Sequence, residues 1–154
     1  MKKTLISNGP LETKALALRI RENLQNGDIV LLKGEIGAGK SHFARSLIQA
    51  AMDKVEDVPS PTFTLVQTYD TLAGSIWHAD LYRLGDQSEV FELGLIDAFG
   101  NDIVLIEWPD RLGYLEPQDA LTIELVILEN DKREVIFSTS SCVWEARLEK
   151  TLQK

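Results

Sequence analysis

The 154-residue sequence predicts an α/β fold, a mixed parallel and antiparallel central sheet flanked by helices. Three observations predict it. Apolar, β-branched runs alternate with helical stretches in the first two thirds of the chain, the pattern of parallel strands joined by crossover helices. Two strand-like runs near the end, 121–128 and 133–139, are separated by Glu129-Asn130-Asp131-Lys132, a hairpin signal that adds antiparallel pairing. Residues 102–108 (DIVLIEW) are apolar almost throughout, which suits a strand buried on both faces.

The elements follow in order. Residues 10–25 read as a helix: Pro10 fits the first turn, Leu16, Ile20 and Leu24 make one apolar face, and Asn26-Gly27 ends it. Residues 28–33 (DIVLLK) read as a buried strand. A glycine-rich stretch follows, and then a helix over 41–53, with Phe43, Leu47, Ala50 and Ala51 on one side. Pro59 and Pro61 break the next segment into a loop. Strands are expected over 63–70 and 75–82. Residues 88–100 have helical spacing and a Gly stop, and the tail from Cys142 reads as a helix. Trp77, Trp108 and Trp144 are expected to be core or half-buried, with Trp108 near a ligand or a partner surface because it follows Glu107.

Composition narrows the function. Hydrophobic residues make up 44% and charged residues 26%, ordinary for a globular chain and too apolar for a disordered one. The net charge is −8, which disfavours non-specific nucleic-acid binding, since phosphate contact wants clustered Lys and Arg. One cysteine, Cys142, excludes an intrachain disulfide, and two histidines, His42 and His78, leave too few ligands for structural zinc. The N-terminal stretch lacks the apolar core of a signal peptide, and no run approaches a membrane span. The expectation is one soluble cytosolic domain over 1–154, without repeats or low-complexity segments.

The stretch Gly34-Glu35-Ile36-Gly37-Ala38-Gly39-Lys40-Ser41 fits the phosphate-loop pattern G-x-x-x-x-G-K-S/T in full. Chance would place the pattern in a chain of this composition about 0.004 times. It also sits between a strand and a helix, as its chemistry requires. The glycines let backbone N–H groups curl around a phosphate, the following helix adds its N-terminal N–H groups, the Lys40 ammonium reaches the β- and γ-phosphates, and the Ser41 hydroxyl can ligate Mg2+. The fold class is therefore P-loop NTPase-like.

Such a site needs a carboxylate at the end of a neighbouring strand. Ile103–Glu107 and Ser75–Asp80 each end in one, and both would arrive beside Ser41 if both strands flank 28–33. His78 is either catalytic or, more commonly for such a residue, a satisfied buried histidine. His42 lies in the first turn after the loop, where it reads as a surface or packing residue. Ser60, Thr62 and Thr64 put three hydroxyls on a Pro-stiffened loop, which is either a γ-phosphate sensor or an ordinary turn.

Five ordered blocks resemble a known family. GEIGAGKS, SPTFTLV (60–66), HADLYRL (78–84), ELGLIDAF (92–99) and LIEWPDRL (105–112) are similar, in the same order, to the TsaE (YjeE) family of bacterial P-loop ATPases required for threonylcarbamoyladenosine on tRNA. The resemblance covers about residues 8–139. It implies ATP or ADP with Mg2+, bound by Gly34, Glu35, Ile36, Gly37, Ala38, Gly39, Lys40, Ser41 and His42. It implies Ser41 and Glu107 as metal ligands, and Lys40, Glu107 and Asp80 as the catalytic set, with Asp80 near the attacking water. Thr62 would belong to a switch-like loop. Adenine contacts are expected from the 8–13 segment and the Lys132-Arg133 turn, Arg133 included. The implied partners are the TsaB–TsaD pair, with TsaD performing carbamoyl transfer, hydrolysis resetting the pair between turnovers, and tRNA met only through that complex. Ser41 stands where many members have Thr, Glu35 where Asp is frequent, and residues 85–91 and 140–154 depart from the family pattern.

The resulting expectation is a slow, partner-stimulated ATPase. Arg83 is a candidate arginine finger in cis, although a structural ion pair is the commoner role. Two other readings compete: a nucleotide-holding switch without chemistry, and a small P-loop kinase. The kinase is disfavoured by seven scattered arginines, and GTP by the lack of an Asn-Lys-x-Asp stretch.

Overall fold

The computed structural model describes residues 1–153. In chain order these form β1 (Lys2–Ser7), α1 (Pro10–Glu22), β2 (Ile29–Lys33), α2 (Lys40–Ala51), β3 (Val66–Thr71), β4 (Gly74–Asp80), α3 (Glu89–Glu92), α4 (Leu95–Ala98), β5 (Ile103–Glu107), a 3-10 segment (Pro109–Leu115), β6 (Leu121–Ile127), β7 (Arg133–Ser138) and α5 (Cys142–Thr151). One sheet runs β1-β7-β6-β2-β5-β4-β3. Its centre, β6-β2-β5-β4, is parallel. β3 closes one edge antiparallel, and β7 and β1 close the other. The mixed α/β architecture is the one the sequence predicts.

The alternation of side chains along each strand divides the core into two layers. Val30, Leu32, Ile76, Ile103 and Leu105 meet α1, α2 and α5 through Ile20, Phe43, Leu47, Trp144 and Leu148. Leu31, Ala79, Val104 and Ile106 face the opposite layer, with Leu95 and Leu112. All five residues of β5 are buried, as a strand covered on both faces requires. The β6–β7 turn is built as the hairpin signal suggested: Asn130 and Asp131 take φ of 58° and 60°, the left-handed pair of a type I′ turn.

For the site, the direction of the strands matters most. β2, β5 and β4 run parallel, so their C-terminal ends share one edge of the sheet. Their register is fixed: Leu32 pairs with Glu107, and Glu107 pairs with Asp80. β2 leads directly into the glycine-rich loop, which folds back over this edge into α2. Gly34 is needed at its start. Its φ is 145°, and a Cβ there would come within 2.6 Å of the Leu125 carbonyl oxygen.

Several expectations need correction. β4 does not flank β2; β5 stands between them, and β6 takes the other side. β1 is not among the expected strands. Its Lys2 and Lys3 hide a weak alternation, the usual character of an exposed edge. Residues 88–100 are not one helix. Gly94, at φ 80°, splits them into α3 and α4. β3 starts at Val66 rather than 63, because Leu65 turns left-handed (φ 67°) and its N–H donates to the Pro61 carbonyl at 2.7 Å. The expected tail helix stops at Thr151, and Lys154 lies outside the described residues.

The tail, which carries no family block, belongs to the core. Trp144, Leu148 and Leu152 are buried against the α1–α2 layer. Arg147 donates to Asp28 at 2.6 Å and lies over the Trp144 ring, its guanidinium carbon 4.8 Å from the centroid. Trp144→Ala is expected to lower unfolding free energy by about 3–5 kcal/mol, as for other large aromatic truncations in cores, measured by urea unfolding. A loss below about 1 kcal/mol would show the tail to be a peripheral attachment.

Candidate functional site

The loop, the first turn of α2 and the ends of β4 and β5 enclose an open cleft of ≈ 380 Å³. Lys40, Ser41, Thr62, Asp80, Glu107 and Trp108 all line it. Residues from four separate stretches of sequence are thus brought to one place.

Lys40 opens α2 with its side chain folded back into the loop and only 5% of the residue exposed. Nζ donates to the carbonyls of Gly34 at 2.6 Å and Glu35 at 2.9 Å, and it sits 4.3 Å from the centroid of the Trp108 ring. Burial pushes this ammonium below its ordinary range, with Glu107 and then Asp80 opposing that shift. Next along α2, Ser41 Oγ lies 2.9 and 3.1 Å from the two carboxylate oxygens of Glu107 and donates its proton to them. The loop's last hydroxyl and the carboxylate that ends β5 are therefore in direct contact. Glu107 is 2% exposed and also takes a 2.7 Å hydrogen bond from His78 Nε2.

Asp80 ends β4 beside Glu107. Its Oδ1 accepts from the Tyr82 backbone N–H at 3.1 Å, and its own N–H donates to the Leu65 carbonyl at 2.8 Å. Burial raises the Asp80 carboxyl above its usual value. The Tyr82 N–H opposes this, and Glu107 adds to it. The Ser60–Thr62 loop stands across the cleft. Ser60 Oγ is 3.4 Å from Ser41 Oγ and 3.0 Å from Thr62 Oγ1.

A second, smaller cleft of ≈ 180 Å³ adjoins the outer side of the loop, lined by Gly9, Pro10, Thr13, His42, Asp131 and Arg133, with Ala38 and Gly39 between it and the first. His42 Nε2 is 3.0 Å from the Pro10 carbonyl oxygen, which ties α2 to the start of α1. Arg133 Nε donates to the Ala38 carbonyl at 2.9 Å and Nη2 to that of Gly37 at 3.3 Å. Arg133 thus braces the loop backbone from outside while lining this second cleft. Glu35, Ile36 and Gly37 are the exposed crest of the loop.

Arg83 makes no ion pair among the described residues. Its guanidinium carbon lies 4.6 Å from the centroid of the exposed Phe63 ring. Ser60 and Thr62 of the expected hydroxyl-bearing loop both line the cleft, whereas Tyr82 is a cleft residue that the sequence does not single out. Tyr82 packs against Trp108 with the rings tilted 46° and their centroids 4.9 Å apart.

The donor set suits a hard divalent cation of the Mg2+ type: one carboxylate and one hydroxyl, both oxygens, with space open to the cleft. No cluster of three or more His, Cys, Asp or Glu able to hold a metal exists among the described residues, so such an ion would depend on oxygens from its ligand. No helix of the described residues is long and apolar enough to cross a membrane.

A strand–glycine loop–helix unit at the C-terminal edge of parallel strands, with a carboxylate on the loop's hydroxyl, defines an α/β protein of the P-loop NTPase-like class. Comparison with known proteins is more specific. The family model for "Threonylcarbamoyl adenosine biosynthesis protein TsaE" matches residues 7–135, and the chain belongs to the TsaE family. The chain is 39% identical over 137 residues to the tRNA threonylcarbamoyladenosine biosynthesis protein TsaE of Rickettsia felis, covering 89% of this chain and 80% of that one. The protein of the same name from Bacillus subtilis is 35% identical over 130 residues, covering 84% and 80%. Its counterpart from Aquifex aeolicus is 36% identical over 134 residues, covering 86% and 93%. The crystal structure of Bacillus subtilis YdiB superposes with a TM-score of 0.79 at 25% identity, over 99% of this chain and 95% of that one. The family takes part in threonylcarbamoyladenosine biosynthesis on tRNA.

Because burial raises the Asp80 carboxyl, the folded protein binds a proton there more readily than the unfolded chain does. That contribution to stability is present at low pH and is lost as pH rises through the raised value. Asp80→Asn keeps an oxygen to accept from Tyr82 and never ionises. It is therefore expected to melt at a higher temperature than wild type at pH 7.5, the gap closing as pH falls towards the ordinary value of 3.8. Calorimetric melting across pH checks this. A constant or inverted gap would mean that burial does not penalise the carboxylate.

Proposed function

We propose that the chain is an ATP-binding and ATP-hydrolysing component of the cytoplasmic threonylcarbamoyladenosine machinery, acting with the TsaB–TsaD pair to reset that pair between turnovers. One observation carries the reading: Ser41 and Glu107 are joined at the mouth of the phosphate loop, beside Lys40, where an Mg2+–nucleotide would need them.

In this reading the triphosphate lies along the loop in the larger cleft, and the base enters the smaller one between the start of α1 and Arg133. Loop N–H groups and the N-terminal end of α2 hold the phosphates. Lys40 neutralises charge on the transferring phosphoryl group from a desolvated position, where its effect is greatest. Ser41 and Glu107 would hold Mg2+, which supplies further neutralisation at the β- and γ-phosphates. Asp80 orients the attacking water in line with the bond that breaks. A carboxylate made more basic by burial is a better acceptor for the water's proton. Thr62 and Ser60 stand on the γ-phosphate side, where their loop would report hydrolysis to a partner. No arginine lines the larger cleft among the described residues, which supports slow hydrolysis alone and a faster rate once a partner completes the site.

Hydrolysis by purified protein with Mg2+, alone and with TsaB–TsaD, tests the proposal. Stimulation by the pair is expected, with Lys40→Ala lowering the stimulated rate by about 100-fold or more. ATP bound but not hydrolysed in either condition would favour a switch that only holds nucleotide, and absence of binding would defeat both.

A further inference from the structure

Among the described residues His78 is the buried polar side chain at this site to which the reaction above gives no task. It sits on β4 two residues before Asp80, paired in register with Leu105 of β5, and it is 1% exposed. Nε2 lies 2.7 Å from Glu107 Oε2, a diagonal contact across the two parallel strands. Nδ1 is buried with no partner among the described residues. The ring therefore has a single polar partner. With one ring nitrogen unpartnered, the neutral tautomer that leaves an orphan acceptor rather than an orphan donor puts the proton on Nε2, donated to Glu107.

A core does not gain from such a ring. An apolar side chain there would avoid the orphan Nδ1. Glu107, in contrast, depends on it. Two donors hold the carboxylate, Ser41 and His78. Ser41 stands on the first turn of α2, directly after the loop. His78 is anchored in the sheet, so its hold on Glu107 is independent of the loop.

We propose that His78 is a positioning residue that fixes the Glu107 carboxylate from the sheet side, so that Glu107 and Ser41 present a ready pair of oxygens to Mg2+. This rests on the metal assignment made under the proposed function. Partners that orient a metal ligand typically contribute ten- to a hundredfold in metal affinity, about the size of effect expected here.

The test separates the bond from the bulk. The Gln amide nitrogen reaches the place of imidazole Nε2, whereas that of Asn reaches only the place of Nδ1. The affinity of the non-hydrolysable nucleotide AMPPNP is measured by calorimetry in EDTA and across an Mg2+ series, with melting temperature as the check on folding. In His78→Asn the half-saturating Mg2+ concentration is expected to rise about ten- to a hundredfold, while affinity in EDTA stays near wild type; His78→Gln keeps the wild-type Mg2+ response. His78→Leu replaces the Asn variant if that one does not fold. A variant without a donor at the place of Nε2 that keeps wild-type Mg2+ dependence overturns the proposal. So does a loss of affinity that is equal with and without Mg2+, which is what a merely structural histidine would produce. Wild type binding AMPPNP without any Mg2+ dependence would instead overturn the metal assignment, and His78's role with it.

Discussion

Among the described residues Glu107 is a buried carboxylate with no lysine or arginine in salt-bridge contact, and the rest of the site is organised around that fact. A charge withdrawn from water needs compensation, and here it comes from two hydrogen-bond partners, the Ser41 hydroxyl and the His78 imidazole. The nearest cation, Lys40, is spent on the carbonyls of its own loop and on the face of Trp108. Asp80, the register partner of Glu107 on β4, adds a second buried carboxylate, pushed towards its protonated form by burial. Two acids and one lysine leave the mouth of the loop short of positive charge. The metal of a Mg2+–nucleotide, placed towards the acids, would supply that charge, while its phosphates would meet Lys40 and the loop N–H groups.

That arrangement follows from sheet order. In a parallel sheet the C-terminal strand ends lie along one edge, so a carboxylate at the end of β4 and another at the end of β5 arrive side by side whenever the register is 80 against 107. The register in turn is held by burial. A one-residue slip of β5 would exchange Val104 and Ile106 for Ile103, Leu105 and Glu107 between the two core layers, and turn the carboxylate away from Ser41. The apolar packing of the sheet and the chemistry of its edge are therefore set by the same alternation.

The loop, both strand-end acids and the α/β class were legible because each has a local signature: a fixed glycine spacing, an apolar run stopping at an acid, a change from helical to alternating period. What was not legible is non-local. Nothing in 75–82 says that its strand lies beyond β5 rather than against β2, because order in a sheet depends on crossovers and not on the strand's own residues. β1 escaped notice because Lys2 and Lys3, which protect an edge, also mask its pattern. Residues 88–100 count as a helix by spacing, and only the left-handed backbone at Gly94 divides them. The role of His78 could not be read at all. A histidine two residues before an aspartate is uninformative until the neighbouring strand places Glu107 within 2.7 Å of it. Arg133 was picked out for its turn, but its grip on the loop carbonyls spans 95 residues of sequence.

The backbone adds an independent indication of where the protein works. Four non-glycine residues have left-handed φ among the described residues. Asn130 and Asp131 occupy a hairpin turn, where short polar side chains tolerate that geometry. Leu65 and Trp108 have no such excuse, and each costs on the order of 1 kcal/mol or more. Both border the acids: the Leu65 carbonyl receives the N–H of Asp80, and Trp108 directly follows Glu107. The turn at Leu65 joins the Ser60–Thr62 loop to the end of β4, and the turn at Trp108 brings its ring over Lys40. Strain retained at two bulky residues, each joining a carboxylate to a segment that lines the cleft, is hard to reconcile with a site that serves only the fold.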